Sequence, residues 1–359
     1  MKLTKPTLLL DEQKCRANIS KMTRKARKHV VDLQPHFKTH QSWVVGDWYR
    51  EAGVKSITVS SLEMASYFAD DKWEEITVAF PINVLRIDTI NNLAAKLRLN
   101  VYVNNLEAAH YLSKHLQHAV GVFTELDTGY HRSGIPFQNY DEIEQLLKFF
   151  NQSEYLDFQG FYAHAGHTYH AEDSRRINEI QKVTVERLSE VRNGFSDYSI
   201  KITIGDTPGC SLSDDFEKVD IIRPGNFVFY DLVQANIGAC TSEDIAVCMA
   251  CPVVEKRPER GEVIIHGGAI HFSKDALTTK EGLSYGQLVS LHNSGWGAPL
   301  DGCYVKSISQ EHGLVVLSDE VFAKTKVGDW VGVLPVHSCL TANLMGSYTT
   351  PQGRVISMM

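Results

Sequence analysis

The chain has no apolar run approaching the roughly 18 residues of a membrane-spanning helix, and no Gly/Ser-rich linker, low-complexity tract or residue-level repeat. These absences exclude a helical membrane protein, a solenoid and a flexible multi-domain string. Basic charge is also short: 36 Lys and Arg against 43 Asp and Glu leave a net charge of −7. That disfavours non-specific nucleic-acid binding and leaves no basic stripe for a membrane surface. Cysteine is sparse and odd in number, seven copies at irregular spacing. Such usage predicts reduced thiols in a cytoplasmic chain rather than a disulfide framework. The opening residues hold only Leu8–Leu10 as an apolar block, too short for a secretory core, so no export leader is expected.

A chain of 359 residues with 43% hydrophobic and 22% charged residues suits roughly two folded domains. Eight apolar or β-branched runs read as strands: 30–33, 56–59, 76–80, 97–103, 120–126, 158–162, 200–204 and 219–222. Helical spacing fills most gaps, at 12–29, 61–71, 84–95, 105–117, 139–150 and 172–193. This alternation predicts an α/β fold, a (β/α)8 TIM-type barrel over residues 12–240. A doubly wound open sheet is the competing layout. Beyond residue 240, short strands punctuated by Gly and Pro (247–254, 263–265, 302–309, 313–317, 330–334) predict an all-β domain over 241–359. The strand at Thr7–Leu10, within the segment 1–11, has a choice of either domain.

Side chains at the carboxyl ends of barrel strands line active sites. Here those ends carry Pro35-His36-Phe37-Lys38-Thr39-His40, then Asp127-Thr128-Gly129-Tyr130-His131-Arg132-Ser133-Gly134. Further along come the histidine-rich stretch Tyr162–His170, Gly205-Asp206-Thr207-Pro208-Gly209 and Arg223-Pro224-Gly225-Asn226. Any one of these reads first as an ordinary polar turn; the collection reads as a site. Lys38, at a strand end between His36 and His40, is expected to be partly desolvated and near other cations. Both effects lower an ammonium pKa and suit a Schiff-base amine. The glycine turns after the seventh and eighth strands offer backbone N–H groups to a phosphate, with the Thr207 hydroxyl and the Arg223 cation nearby. A phosphate cradle together with a Schiff-base lysine implies pyridoxal 5'-phosphate.

In this order, Lys38, Asp127-x-Gly129-x-x-Arg132-x-Gly134 and Arg223-Pro224-Gly225 resemble the alanine-racemase-like, fold type III pyridoxal-phosphate enzymes. Pro35-His36-x-Lys38-Thr39-His40 and the late Pro335-Val336-His337-Ser338-Cys339-Leu340 look like their D-serine dehydratase and D-threonine aldolase branch. The resemblance covers nearly the whole chain. It implies a barrel plus a β-domain, a homodimer with shared active sites, and a Schiff base on Lys38. It puts Arg132 near the cofactor's phenolic oxygen and Arg223 near its ring nitrogen. Gly205, Thr207, Gly225 and Asn226 would hold the phosphate, and Tyr162, His164 and Tyr169 would face cofactor or substrate.

In an extended segment residues i and i+2 point the same way, so His337 and Cys339 can both reach one ion, and the resemblance implies that they do. Imidazole and thiolate suit zinc, or another divalent metal, and two protein ligands leave open positions. By resemblance, aldolases of the branch carry Asp where Cys339 stands, which tilts this chain toward the dehydratases. The implied activity is metal-assisted elimination of water from a D-3-hydroxy amino acid, D-serine first, giving pyruvate and ammonia. A D-threonine-type aldolase and a D-threo-3-hydroxyaspartate dehydratase are the alternatives within the branch. A non-catalytic pyridoxal-phosphate carrier and a metal-only barrel hydrolase are those outside it. Glu311-His312-Gly313 reads as a turn with a surface histidine, or else as a supporting pair. Tyr285 reads as a packed tyrosine or a contribution to a partner's site, and His266-Gly267-Gly268 reads first as a turn, with a ligand-contacting loop as the alternative.

Overall fold

The computed structural model describes residues 3–359. It divides into two compact units, Ser20–Gly225 and a second formed by the residues up to Ile19 with Asn226–Met359.

In the first unit, all eight expected strands form and run parallel. They are Asp32–Leu33, Ile57–Val59, Glu75–Pro81, Arg98–Tyr102, Val120–Asp127, Leu156–Ala163, Lys201–Ile204 and Ile221–Ile222. Asp32–Leu33 lies beside Ile221–Ile222, and the order then runs back through the chain to Ile57–Val59. The two ends of that path meet through a parallel bridge between His36 and Thr58, where the Thr58 N–H donates to Pro35 O at 2.9 Å. The result is a closed barrel, not an open wound sheet. Its strands read as continuous apolar runs because both faces are covered; seven of the eight residues of Val120–Asp127 are buried.

Helices Leu62–Asp70, Leu106–His115 and Ser174–Gly194 begin where side chains accept from the third residue on. Ser61 caps Met64 N–H, Asn105 caps Ala108 N–H and Asp173 caps Arg176 N–H. One helix, Trp43–Glu51, escapes the sequence pattern. Its Trp43, Val44, Val45 and Trp48 are poor helix formers, yet burial of Val45, Trp48 and Tyr49 overrides that preference.

The second unit is built on a nine-stranded sheet. Six of its strands close on themselves: Glu262–His266, His312–Val316, Gly295–Ile308, Gly286–His292, Trp330–Pro335 and Val247–Arg257, which returns to Glu262–His266. Thr7–Leu10 adds antiparallel to Val247–Ala250, with Thr7 opposite Ala250 and Leu10 opposite Val247. Ser347–Thr349 and Val355–Ser357 complete the sheet. The division between units falls at Asn226, ahead of the expected boundary at 241. The reason is local bonding: Asn226 and Asp231 bind Ser338, and Val233 N–H donates to Val336 O at 3.3 Å.

Candidate active site

Lys38 sits in a single 3-10 turn, Phe37–Thr39, directly after the first barrel strand. The turn is fixed from both sides. His36 Nδ1 accepts the Lys38 backbone N–H at 3.3 Å, and His40 Nδ1 accepts the Ser42 N–H at 3.2 Å. The surroundings of the lysine differ from expectation. Lys38 is exposed rather than desolvated. His40 is fully buried, packed 4.3 Å from the Phe37 ring and stacked on Tyr49. Burial lowers its pKa to about 3, so it is a neutral core ring and no cationic neighbour. His36 is also held neutral, by burial first and then by the charge of Lys38, with Arg223 and Arg132 adding to it. Three cationic side chains thus act on this ring, from three different strand ends.

Arg223 decides what this convergence accommodates. Its side chain is 1% exposed. Nε donates to Thr203 Oγ1 at 3.0 Å and Nη1 to Thr58 Oγ1 at 2.9 Å, while the guanidinium lies 4.7 Å over the Phe123 ring. Nη2 is buried with no partner, and among the described residues no carboxylate pairs with the charge. A buried cation with an unused N–H is costly unless an acceptor arrives. The Thr207 hydroxyl is likewise buried and unpartnered. Beside these groups the backbone is cut back to glycine. A Cβ on Gly205 would stand 3.0 Å from the Tyr162 hydroxyl, and one on Gly225 would meet His36 O at 2.7 Å. An anionic ring compound with ring-nitrogen and phosphate acceptors, which pyridoxal phosphate is, fits this donor set.

The other expected residues divide. Tyr162 is buried inside the barrel, 4.9 Å ring to ring from Tyr102. Burial raises both hydroxyls, with Glu125 adding to the effect, so both stay protonated. His164 carries a buried, unpartnered Nδ1. Burial, then Arg132 and Lys38, lowers its pKa to about 3. Tyr169 turns to the glycine cradle, where its hydroxyl accepts the Thr207 N–H at 3.3 Å. Arg132 lies 3.4 Å from Glu125 and 5.6 Å over the Tyr130 ring.

Glu125 and Tyr102 were not singled out from the sequence. Glu125 is 3% exposed and also accepts from Ser133 Oγ at 2.8 Å. The available signal was a carboxylate in the apolar strand Val120–Asp127, pointing inward beside the glycine–arginine motif.

In the second unit, His337 and Cys339 do come together, though not through an extended segment. His337 precedes the helix Ser338–Met345 and Cys339 lies in its first turn. Asp231, completely buried, organises the pair. Its Oδ2 accepts from Asn226 Nδ2 at 2.7 Å, Ser338 N–H at 3.0 Å and Ser338 Oγ at 3.3 Å, and lies 3.3 Å from His337 Nδ1. Oδ1 takes the Gln234 N–H at 3.0 Å. Asn226 Nδ2 also reaches Ser338 Oγ at 3.0 Å and Cys339 Sγ at 3.5 Å. The Asn226 Nδ2 is therefore engaged in this cluster, while its Oδ1 is buried without a partner. Burial opposes charge on His337, but Cys339 and Asp231 outweigh it and raise its pKa to about 11. With Nδ1 facing Asp231, Nε2 is the ring nitrogen left for a metal. Imidazole, thiol and a supporting carboxylate fit a zinc-type ion.

The N-terminal domain family of alanine racemase matches residues 10–232, and a putative serine dehydratase domain matches residues 246–350. The chain belongs to the D-serine dehydratase and D-threonine aldolase branch of the alanine-racemase-like pyridoxal-phosphate enzymes.

A D-serine dehydratase from Dictyostelium discoideum is 28% identical, over 96% of this chain and 93% of its own. The D-threo-3-hydroxyaspartate dehydratase of Delftia sp. strain HT23 is 26% identical over 96% of this chain and 93% of its own. Its solved structure superposes with a TM-score of 0.92, covering 100% of this chain and 98% of that one at 24% identity. The D-threonine aldolase of Filomicrobium marinum shares the fold at a TM-score of 0.81 and 17% identity, covering 100% and 98% of the two chains.

The remaining features find ordinary places. Tyr285 is half-buried, its N–H donating to Val305 O at 2.8 Å. His312 is exposed and opposite His266 in the sheet, while Glu311 pairs with His266, 3.2 Å away.

Proposed function

We propose that the chain is a metal-assisted pyridoxal-phosphate lyase that removes water from a D-3-hydroxy amino acid, D-serine first, to give pyruvate and ammonia. The observation that carries this reading is the His337–Cys339 pair braced by Asp231, with sulfur where aldolases of the branch place a carboxylate. The similarity to two dehydratases over 96% of the chain supports it. So does a metal-free form among the solved structures of the Delftia enzyme's variants.

Pyridoxal phosphate, when bound, supplies an aldehyde for amines and a conjugated ring that takes up electrons released at the α-carbon. A divalent metal on His337 and Cys339 supplies a Lewis acid for the departing β-hydroxyl. The chain does the rest. Lys38 Nζ would hold the cofactor and, as a free amine, would take the α-proton. Arg223 donates from a fixed, buried guanidinium, and Gly205, Thr207 and Gly225 leave room for the phosphate beside backbone N–H groups. Arg132, steadied by Glu125, donates toward the phenolic oxygen. Tyr162 stays protonated and acts as a donor, while His164, neutral at pH 7, acts as an acceptor.

We also assign a cytoplasmic homodimer with shared active sites. Two observations support it: none of the seven cysteines forms a disulfide, and Phe80 and Leu85 are 60% and 84% exposed.

The test is product identity. The purified protein is incubated with D- and L-3-hydroxy amino acids, with and without chelator. Pyruvate from D-serine, lost on chelation, is the expected result. Glycine plus an aldehyde from D-threonine would establish the aldolase instead. The similarity to the Delftia enzyme makes D-threo-3-hydroxyaspartate the second substrate to try.

A further inference from the structure

A second cluster of metal-ligating side chains stands in the β unit, apart in sequence from His337 and Cys339. His266, His271 and Glu311 each bring a ligand atom within 4.8 Å of the other two. His266 Nε2 and Glu311 Oε2 are 3.2 Å apart, and the rings of His266 and His271 are nearly perpendicular with centroids 5.5 Å apart.

What distinguishes this cluster from a surface ion pair is the backbone beneath it. Residues 266–270 and 309–312 lie side by side as a hydrogen-bonded platform. Gly267 N–H donates to Glu311 O at 2.9 Å, Ala269 N–H to Ser309 O at 2.7 Å and Ile270 N–H to Gln310 O at 3.3 Å. Glycine is required for the approach. A Cβ on Gly268 would stand 2.4 Å from Ser309 O, and one on Gly313 would stand 2.4 Å from Gly267 O. The three side chains thus rise from a frame that has little freedom to spread, which is how a ligand set is preorganised.

We propose that His266, His271 and Glu311 form a second divalent-metal site, of zinc type, with an open coordination position. Two imidazoles and one carboxylate are a known donor set for such a site. Metal–ligand bonds of about 2.0–2.2 Å in a tetrahedron put ligand atoms roughly 3.3 Å apart. The His266–Glu311 pair already has that spacing. His266 and Glu311 side chains are 43% and 46% exposed, so the ion has an entry path. The Gly268 N–H donates to His271 Nδ1 at 3.1 Å, and ligation gives up that bond. That loss is small beside the gain from metal ligation. The proposal stands independently of the reaction assigned to the barrel.

The experiment uses the pyridoxal-phosphate-loaded protein carrying His337→Ala and Cys339→Ala, stripped with chelator and titrated with Co(II). One cobalt per chain is expected, with ligand-field absorption and no thiolate charge-transfer band. Adding His271→Ala should weaken binding by at least about 100-fold, and Glu311→Gln by about 10-fold or more. Circular dichroism checks folding; if the His271→Ala protein does not fold, Glu311→Gln decides alone. No retained cobalt in the parent double variant would overturn the assignment. So would an affinity unchanged by either added substitution.

Discussion

Asp231→Asn is the most informative single change. Its Oδ2 is the common acceptor for Asn226 Nδ2 and for the Ser338 N–H and Oγ, and it faces His337 Nδ1. Its Oδ1 caps Gln234 N–H. An asparagine retains the first group only by turning its oxygen to the Oδ2 position. Its NH2 then faces the Gln234 N–H, a lost cap worth about 1 kcal/mol. The carboxylate charge that orients and polarises the His337 ring is lost altogether. Loss of such a supporting partner weakens metal affinity by about 10–100-fold, or about 1.4–2.8 kcal/mol. The assay is competition against a chromophoric chelator, with cofactor absorbance and thermal melting followed in parallel. The expected result is a weaker metal site, a stability loss of about 1–3 kcal/mol and unchanged cofactor absorbance. A metal affinity within twofold of the parent would refute the role given to Asp231.

Lys38→Ala should abolish the imine chromophore that borohydride traps; unchanged reductive labelling would count against this lysine. Chelation of the intact protein should stop pyruvate formation while cofactor stays bound, read by activity and absorbance together. Gly225→Ala drives a Cβ to 2.7 Å from His36 O. It should lower stability by about 1–3 kcal/mol and weaken cofactor binding, both measurable by melting with and without pyridoxal phosphate. Asp206 is completely buried, and burial raises its pKa from 3.8 to about 6. The folded state therefore binds the extra proton between those values, and the contribution to stability is lost as pH rises through that window. The loss amounts to about 3 kcal/mol. Denaturant titrations of Asp206→Asn from pH 4 to 6 should show a flatter dependence than the parent, whereas parallel curves would refute the assignment.

Different parts of the molecule were legible to different degrees. Barrel strands announce themselves because a strand covered on both faces needs an unbroken apolar run, as in Val120–Asp127. Trp43–Glu51 is the reverse case, a helix whose residues resist helix formation until burial decides. Lys38 and Arg223 were visible at strand ends. The environment of the lysine was not: proximity in sequence suggested two cationic histidines, whereas His40 turns into an aromatic cluster and is neutral.

The linear chain by itself determined the alternation of strands and helices, the change of texture near residue 240 and the order of the motif residues. These are properties of local periodicity and spacing. Only the tertiary structure decided that Asn226 serves Ser338 and Cys339, residues 112 and 113 positions away. It also placed Asp231 behind His337 and brought His266 to Glu311 across 45 residues. Such pairings depend on which segments the sheet lays side by side, and a hydrogen bond between distant residues leaves no periodic trace in either.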